Sequence, residues 1–114
     1  MTEAELHKHL GDKTFQFEFD IQNNKLKIGL KEVNAVNPLC YEIYLSLEEF
    51  YKRNAIYKAC TDLEEIRQHL LHIFKNDSTN LENLENGKKI QINFEIINIS
   101  KIIKQNFILD RKDI

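Results

Sequence analysis

The stretch "KTFQFEFDIQNNKLKIGL", residues 13–30, carries the pattern that decides the fold. Apolar and other side chains alternate on both sides of an Asn-Asn pair, and this period of two is typical of β-strands with one buried face. Burying a large apolar side chain stabilises a fold by roughly 1.5–3 kcal/mol. We therefore interpret the apolar rows as the core face of a β-hairpin and not as the wall of a ligand site. Their members are Phe15, Phe17, Phe19, Leu26, Ile28 and Leu30.

The turn of this hairpin is predicted at residues 21–25, because Asn23 and Asn24 tolerate left-handed backbone geometry. On the polar face, lysines of the second strand should lie opposite acids of the first. Such cross-strand pairs contribute up to about 1 kcal/mol each. The residues concerned are Lys25, Lys27, Lys31, Glu18 and Asp20.

A third strand and two helices follow in the middle of the chain. Alternation over residues 41–45 predicts the strand, and Ser46 with Glu49 has the spacing of a capping box that starts a helix at Leu47. Thr61 with Glu64 has the same spacing. It predicts a second helix over residues 62–75, with an apolar stripe at helical spacing.

The last third of the chain contains three more predicted strands. Leu81 and Leu84 indicate a short one, and Asn86-Gly87 is a strong hairpin signal before the alternating residues 90–96. The alternation then breaks, which predicts a turn or bulge between residues 98 and 104 and a final strand over 105–110.

Near the start of the chain, residues 2–10 have helical features. Thr2 and Glu5 have capping-box spacing, Leu6 and Leu10 would share a helix face, and Gly11 could end the helix. The sequence as a whole predicts an α+β fold in which a bent antiparallel sheet of about six strands is closed by the central helix pair. Residues 1–12 would be an N-terminal helical arm, and residues 13–114 a single α+β interaction domain.

Composition excludes several classes of function. The chain has 114 residues, a net charge of -2 and 42% hydrophobic residues, which suits one globular domain. We expect no nucleic-acid partner, because phosphate binding needs a concentrated positive field. We expect no membrane partner, since no run of about 18 apolar residues is present. The N-terminal residues lack a signal-peptide pattern, and Cys40 and Cys60 fit reduced thiols, so a cytoplasmic location is expected.

No motif for catalysis or cofactor binding stands out. The glycines are isolated, so no phosphate loop is expected. Glu65, His69 and His72 would share a helix face, which allows an adventitious metal, but a third or fourth ligand of definite geometry is missing. His7 and His9 would point to opposite sides of the predicted N-terminal helix. We expect no enzyme activity, no cofactor and no small-molecule substrate.

The segment "NISKIIK", residues 98–104, suggests an interaction site. Its isoleucines fall where a loop is predicted, and only some of them can point into the core. An apolar side chain left outside marks an interaction surface, although longer strands would explain the same pattern. The candidate residues are Ile99, Ser100, Ile102 and Ile103.

Two passages resemble a known family. "YEIYLSLEEFYKRNAIYKACTDLEEIRQHLLHIF", residues 41–74, and "FEIINISKIIKQNFIL", residues 94–109, look like parts of the head domain shared by the spindle-assembly-abnormal cartwheel proteins of centrioles and the scaffold proteins of DNA end joining. The resemblance implies a non-enzymatic assembly module that binds proteins, with self-association among the options. In cartwheel heads an aromatic residue of the loop enters a partner head. Ile99 and Ser100 match that position here, and neither is aromatic.

Three hypotheses about function follow. The first is a protein–protein interaction module, a structural component of a cytoskeletal or ciliary assembly. The second is a small accessory subunit of a large enzyme or ribonucleoprotein complex, anchored by the N-terminal helix and the C-terminal tail. The third is an enzyme or ligand-binding protein with a site inside the sheet, for which Tyr41, Tyr51 and Tyr57 are the available polar groups.

Overall fold

The computed structural model describes residues 6–112, which form a largely antiparallel β-sheet with two α-helices. The strands are β1 (His7–Leu10), β2 (Lys13–Gln22), β3 (Lys25–Glu32), β4 (Cys40–Ser46), β5 (Asn80–Leu84), β6 (Lys89–Asn98) and β7 (Lys101–Arg111). The helices are α1 (Leu47–Arg53) and α2 (Leu63–Phe74). Short 3-10 turns cover Ala55–Ala59 and Glu85–Gly87.

The seven strands follow the order β1-β2-β3-β4-β7-β6-β5, and the sheet curls until its edge strands β1 and β5 come into contact. Near the same edge, the Lys8 ammonium donates a hydrogen bond to the carbonyl of Asn76 at 2.8 Å. Strands β4 and β7 pair only at Tyr41–Arg111 and Glu42–Asp110. The two strands then diverge, and the α1 segment lies beside β7 where they separate.

The core lies between the curled sheet and α2. Phe74, near the end of α2, is fully buried, and its ring centroid lies 5.0 Å from that of Phe17 and 5.3 Å from that of Phe94. Aromatic pairs at such distances add about 0.5–1.5 kcal/mol beyond the area they bury. The six apolar residues of the 15–30 hairpin are all buried, which confirms that these rows are core.

Most of the local predictions are confirmed. The β2–β3 hairpin turns at Asn23 and Asn24, which have φ values of 51° and 61°, as a type I′ turn requires. The Ser46 hydroxyl and the Glu49 carboxylate form both halves of the capping box before α1. A second hairpin surrounds Gly87, although four residues, 85–88, connect β5 to β6.

The predicted N-terminal helical arm is wrong for the residues that can be described. His7–Leu10 is a strand, and β1 is the seventh strand, which the prediction of about six did not include. Leu6 is 4% exposed, and its carbonyl accepts a hydrogen bond from the amide of Phe17 at 3.0 Å. Thr2 and Glu5, which suggested a capping box, lie outside the described residues. His7–Leu10 therefore belongs to the sheet and not to a helix.

Two smaller predictions also need correction. The residue that caps α2 is Asp62, whose carboxylate accepts from the amide of Glu65 at 2.8 Å. Thr61 instead donates its hydroxyl to the Glu65 carboxylate at 2.8 Å. In the first hairpin, Lys27 lies opposite Asp20. Its ammonium pairs at 3.8 Å with Glu42 of β4, the strand on its other side.

Candidate functional site

The outer part of the β6–β7 hairpin extends past the strand next to it. The last pair between β5 and β6 is Asn80–Asn93, whereas β6 and β7 remain paired to Asn98–Lys101. We call residues 94–105 the tip hairpin. It is a two-stranded ribbon held on one side of the sheet without the support of β5.

The two faces of the tip hairpin differ in what they contact. Phe94 and Ile96 point inward and are 2% and 3% exposed, and Ile103, paired with Ile96, packs against the core. On the outward face Ile97 and Ile102 are directly paired, and they are 76% and 58% exposed. The inward face therefore stabilises the fold, while the outward face shows two isoleucines to solvent.

Ile99 and Ser100 form the two-residue turn of the tip hairpin. Both are exposed, and Ile99 is completely so. The Asn98 side chain accepts a hydrogen bond from the amide of Ile99 at 2.8 Å, which helps to fix the turn. The turn that carries this exposed apolar side chain is thus fixed by a local hydrogen bond at the far end of the ribbon.

The structure separates the four predicted interaction residues. Ile99, Ser100 and Ile102 are exposed together, but Ile103 is half-buried on the core side and does not belong with them. The predicted turn between residues 98 and 104 is confirmed, but it is shorter than expected, because only Ile99 and Ser100 turn and the last strand begins at Lys101 rather than at residue 105. The isoleucines of 102 and 103 are neighbours on one strand, so they necessarily face opposite ways.

The sequence analysis did not identify Ile97, whose side chain is more exposed than those of all other isoleucines of this hairpin except Ile99. The signal was available in the doublets Ile96-Ile97 and Ile102-Ile103. When two apolar residues are adjacent in a strand, one of them faces away from a one-sided core. With the strand register fixed, Ile97, Ile99 and Ile102 form the exposed apolar set.

The base of the tip hairpin is attached to the segment after β4. The Tyr57 hydroxyl donates to the Gln105 side chain at 2.9 Å, and the Arg53 guanidinium donates to the carbonyl of Asn106 at 3.3 Å. The guanidinium carbon also lies 5.1 Å from the ring centroid of Phe107. Burial raises the pKa of Tyr57 above its ordinary value, so the hydroxyl keeps its proton and remains a donor.

The residues suggested for an adventitious metal do not form a ligand set. His69, Glu65 and His72 border a shallow surface hollow on α2, and the Glu65 carboxylate is occupied by Thr61. Among residues 6–112 no cluster of three or more His, Cys, Asp or Glu side chains is arranged to hold a metal ion. Burial and then the nearby His72 lower the pKa of His69.

The structure also places the two histidines of β1 and the three tyrosines that an internal site would use. His7 and His9 alternate along a strand, so they share one face rather than lying on opposite sides of a helix. The three tyrosines considered for an internal site all donate to protein acceptors: Tyr41 to Gly87, Tyr51 to Cys60 and Tyr57 to Gln105. Their hydroxyls therefore support the fold.

Surface hollows occur elsewhere on the molecule. One of about 340 Å³ lies between Leu10, Phe15 and Tyr41, with Lys13 and Arg111 at its rim. Phe17 and Ile28, behind the sheet face where an internal site would lie, are fully buried among other core side chains. Apart from the tyrosines, the only buried residue with a polar side chain in the described part is Thr79, which donates its hydroxyl to the carbonyl of Ile73 at 3.2 Å.

None of the helices within residues 6–112 is long and apolar enough to span a membrane. The chain gives no match to any family model, curated protein or solved structure with which it was compared.

Proposed function

We propose that the chain is a non-enzymatic protein–protein interaction module and a structural component of a larger cytoplasmic assembly. Cytoskeletal and ciliary assemblies are the first to examine. The observation that carries this proposal is the outward face of the tip hairpin, where Ile97, Ile99 and Ile102 are exposed together. Single exposed apolar residues are ordinary on protein surfaces. A group of three at the end of a projecting ribbon is typical of a docking surface.

The tip hairpin also supports the proposal through its construction. The buried side chains of Phe94 and Ile96 fix the ribbon to the core, so the exposed isoleucines are held in place before a partner binds. A surface ordered in advance loses less conformational entropy on binding. Fully burying an isoleucine contributes roughly 1.5–3 kcal/mol, so this small group could supply a useful part of a binding free energy.

The family suggested by the sequence remains a proposal. Its element order of hairpin, strand, helix pair, hairpin and last strand occurs in the chain, and this order favours an assembly role. A second copy of the chain is therefore one of the partners to test. The accessory-subunit hypothesis is less well supported, because His7–Leu10 pairs with β2 and is not a separate helix that could serve as an anchor.

Purification of the tagged chain from its native cell, followed by quantitative mass spectrometry, tests the proposal. The variant carries Ile97→Ser, Ile99→Ser and Ile102→Ser, and the matched control carries Ile108→Ser, another exposed isoleucine of β7. We expect the recovery of one or more specific partners to fall at least tenfold with the variant, which corresponds to about 1.4 kcal/mol of binding free energy. The control should recover them as the wild type does. Equal recovery with all three proteins would show that the tip hairpin is not the docking surface.

A further inference from the structure

We propose that the partner of the tip hairpin is an extended acidic segment that adds as a strand to the free edge of β7 at Ile102–Lys104. This inference rests on the proposed function, since it assigns the binding mode and the chemistry of the partner at the same surface. It follows from three features of the hairpin: backbone direction, charge and the position of the isoleucines.

The hydrogen-bonding direction of β7 alternates along the strand. The amide of Arg111 donates toward β6, to Lys88, whereas the amide of Lys112 donates toward β4, to Cys40. The carbonyl of Asn106 likewise points away from β6, because it accepts from Arg53. Even-numbered residues of β7 therefore direct their N–H and C=O groups away from β6, and these include Ile102 and Lys104.

That side of β7 has little strand pairing. Among residues 6–112, β7 pairs on this side only with β4, at Asp110 and Arg111. The contacts from Arg53 and Tyr57 reach Asn106 and Gln105, at the base of the tip hairpin. The backbone groups of Ile102 and Lys104 thus form a short open edge of the kind that accepts an added strand.

The charge around this edge of β7 favours an acidic partner. Glu95, which lies opposite Lys104 across the ribbon, is the only acidic residue in 94–109 and in 50–61, the segment that borders β7, although the chain as a whole has a net charge of -2. The basic residues of these two segments are Lys52, Arg53, Lys58, Lys101 and Lys104. A strand with Asp or Glu side chains would meet complementary charge here, and like-charged strands would be repelled.

The isoleucines explain why a peptide fits this edge better than a nucleic acid. Side chains of an added strand alternate between the two faces of the sheet. Those on the outward face would lie next to Ile102, with Ile97 on the same face one strand farther away. The favoured partner therefore has β-branched or other apolar residues alternating with acidic ones. Phosphate binding would use the lysines but not the isoleucines.

Selection from a displayed library of random twelve-residue peptides on the purified chain tests this proposal. Lys104→Pro removes the outward amide at 104 without removing a hydrogen bond to β6. Lys104→Thr removes the same charge but keeps the amide, so it is the matched control. We expect enriched peptides to be acidic with alternating apolar residues, and to bind Lys104→Pro at least tenfold more weakly than Lys104→Thr. Melting temperatures and amide NMR spectra confirm that both variants are folded.

Hydrogen exchange on the wild-type chain gives a test that does not depend on the proline variant. A bound peptide should slow exchange of the Ile102 and Lys104 amides at least tenfold if it forms strand hydrogen bonds there. Peptides that lack acidic residues, bind both Lys104 variants equally or leave these amides unprotected would overturn the strand-addition proposal. So would a selection that enriches no peptide, preferential binding of a single-stranded oligonucleotide, or a dimer of the chain that blocks the edge.

These outcomes are separable from failure of the proposed function. Some peptides could bind the proline variant well but fail to bind a double variant with Ile97→Ser and Ile102→Ser. That result would reject strand addition only and would leave the tip hairpin as the docking surface. Peptides that bind all of these variants equally reject the tip hairpin itself.

Discussion

Ile97 and Ile102 lie directly opposite each other across β6 and β7, and both are exposed, whereas the next pair, Ile96 and Ile103, faces the core. Successive side chains of a strand point to opposite faces of the sheet, so neighbouring pairs face opposite ways. Four isoleucines in two adjacent pairs therefore have two roles. One pair stabilises the hairpin, and the other is available to a partner.

The first prediction uses this difference between neighbours. Ile103→Asp should lower the free energy of unfolding by about 2 kcal/mol or more, because it places a charge against the apolar core. Ile102→Asp should lower it by less than about 1 kcal/mol, because the side chain already lies in solvent. Urea unfolding of the two single variants provides the measurement. Equal losses would mean that the register of the tip hairpin is incorrect.

The second prediction concerns the first strand. Leu6→Ala should destabilise the protein by about 2 kcal/mol or more, since Leu6 is buried and its removal leaves a cavity. His7→Ala, one residue later and exposed, should change stability by less than about 0.5 kcal/mol. Thermal unfolding of both variants distinguishes a strand of the sheet from a dispensable arm. A Leu6→Ala protein as stable as the wild type would favour the arm.

A third prediction addresses the capping box of α1. Ser46→Ala should cost about 1 kcal/mol, because the amide of Glu49 loses the Ser46 hydroxyl that caps it. The measurement is urea unfolding at pH 7. Leu47 begins the helix directly after Ser46, so a loss near zero would show that the cap is not formed in solution.

The carboxylate of the same capping box gives a pH dependence. Hydrogen bonds from the Ser46 amide and hydroxyl hold the pKa of Glu49 below its usual value. A depressed pKa adds stability that is present above the unfolded value of about 4.3 and is lost as the pH falls through the lower folded value. The stability advantage of the wild type over Glu49→Gln should therefore shrink below about pH 4.3. Glu48→Gln is the control for simple loss of charge, and an advantage that grows in acid would contradict the assignment.

A fifth prediction concerns the attachment of the tip hairpin. Tyr57→Phe removes the hydrogen bond to Gln105 and should cost about 1 kcal/mol. Burial raises the pKa of Tyr57. The stability linked to its proton is therefore complete below the ordinary pKa of about 10 and decreases as the pH rises above it. Between pH 7 and pH 11 the wild type should lose more stability than Tyr57→Phe. Equal losses would mean that Tyr57 is exposed.

Local patterns predicted the parts of the fold that local physics decides. The Phe15–Phe19 row, the Asn23-Asn24 turn and the Ser46 cap each depend on residues close in sequence, and all three are confirmed. Leu6 and Leu10 have helical spacing, but pairing with β2 decides their conformation. That contact involves Phe17, which no short window around Leu6 includes.

The candidate site was only partly predictable for a similar reason. The "NISKIIK" segment shows an excess of apolar residues, but its sequence does not state which isoleucines face inward. That depends on the register with β6, which places Ile103 opposite the buried Ile96 and Ile102 opposite Ile97. Lys27 shows the same limitation, since its ion-pair partner Glu42 belongs to a strand whose neighbours only the tertiary fold determines.

We propose that the outward isoleucines of the tip hairpin serve a protein partner and not the fold. The decisive experiment uses the triple variant Ile97→Ser, Ile99→Ser, Ile102→Ser. Two quantities are measured in parallel: the recovery of partners from native cells and the free energy of unfolding. We predict stability within about 1.5 kcal/mol of the wild type together with at least a tenfold loss of a specific partner. Unchanged partner recovery by a folded variant would contradict the claim.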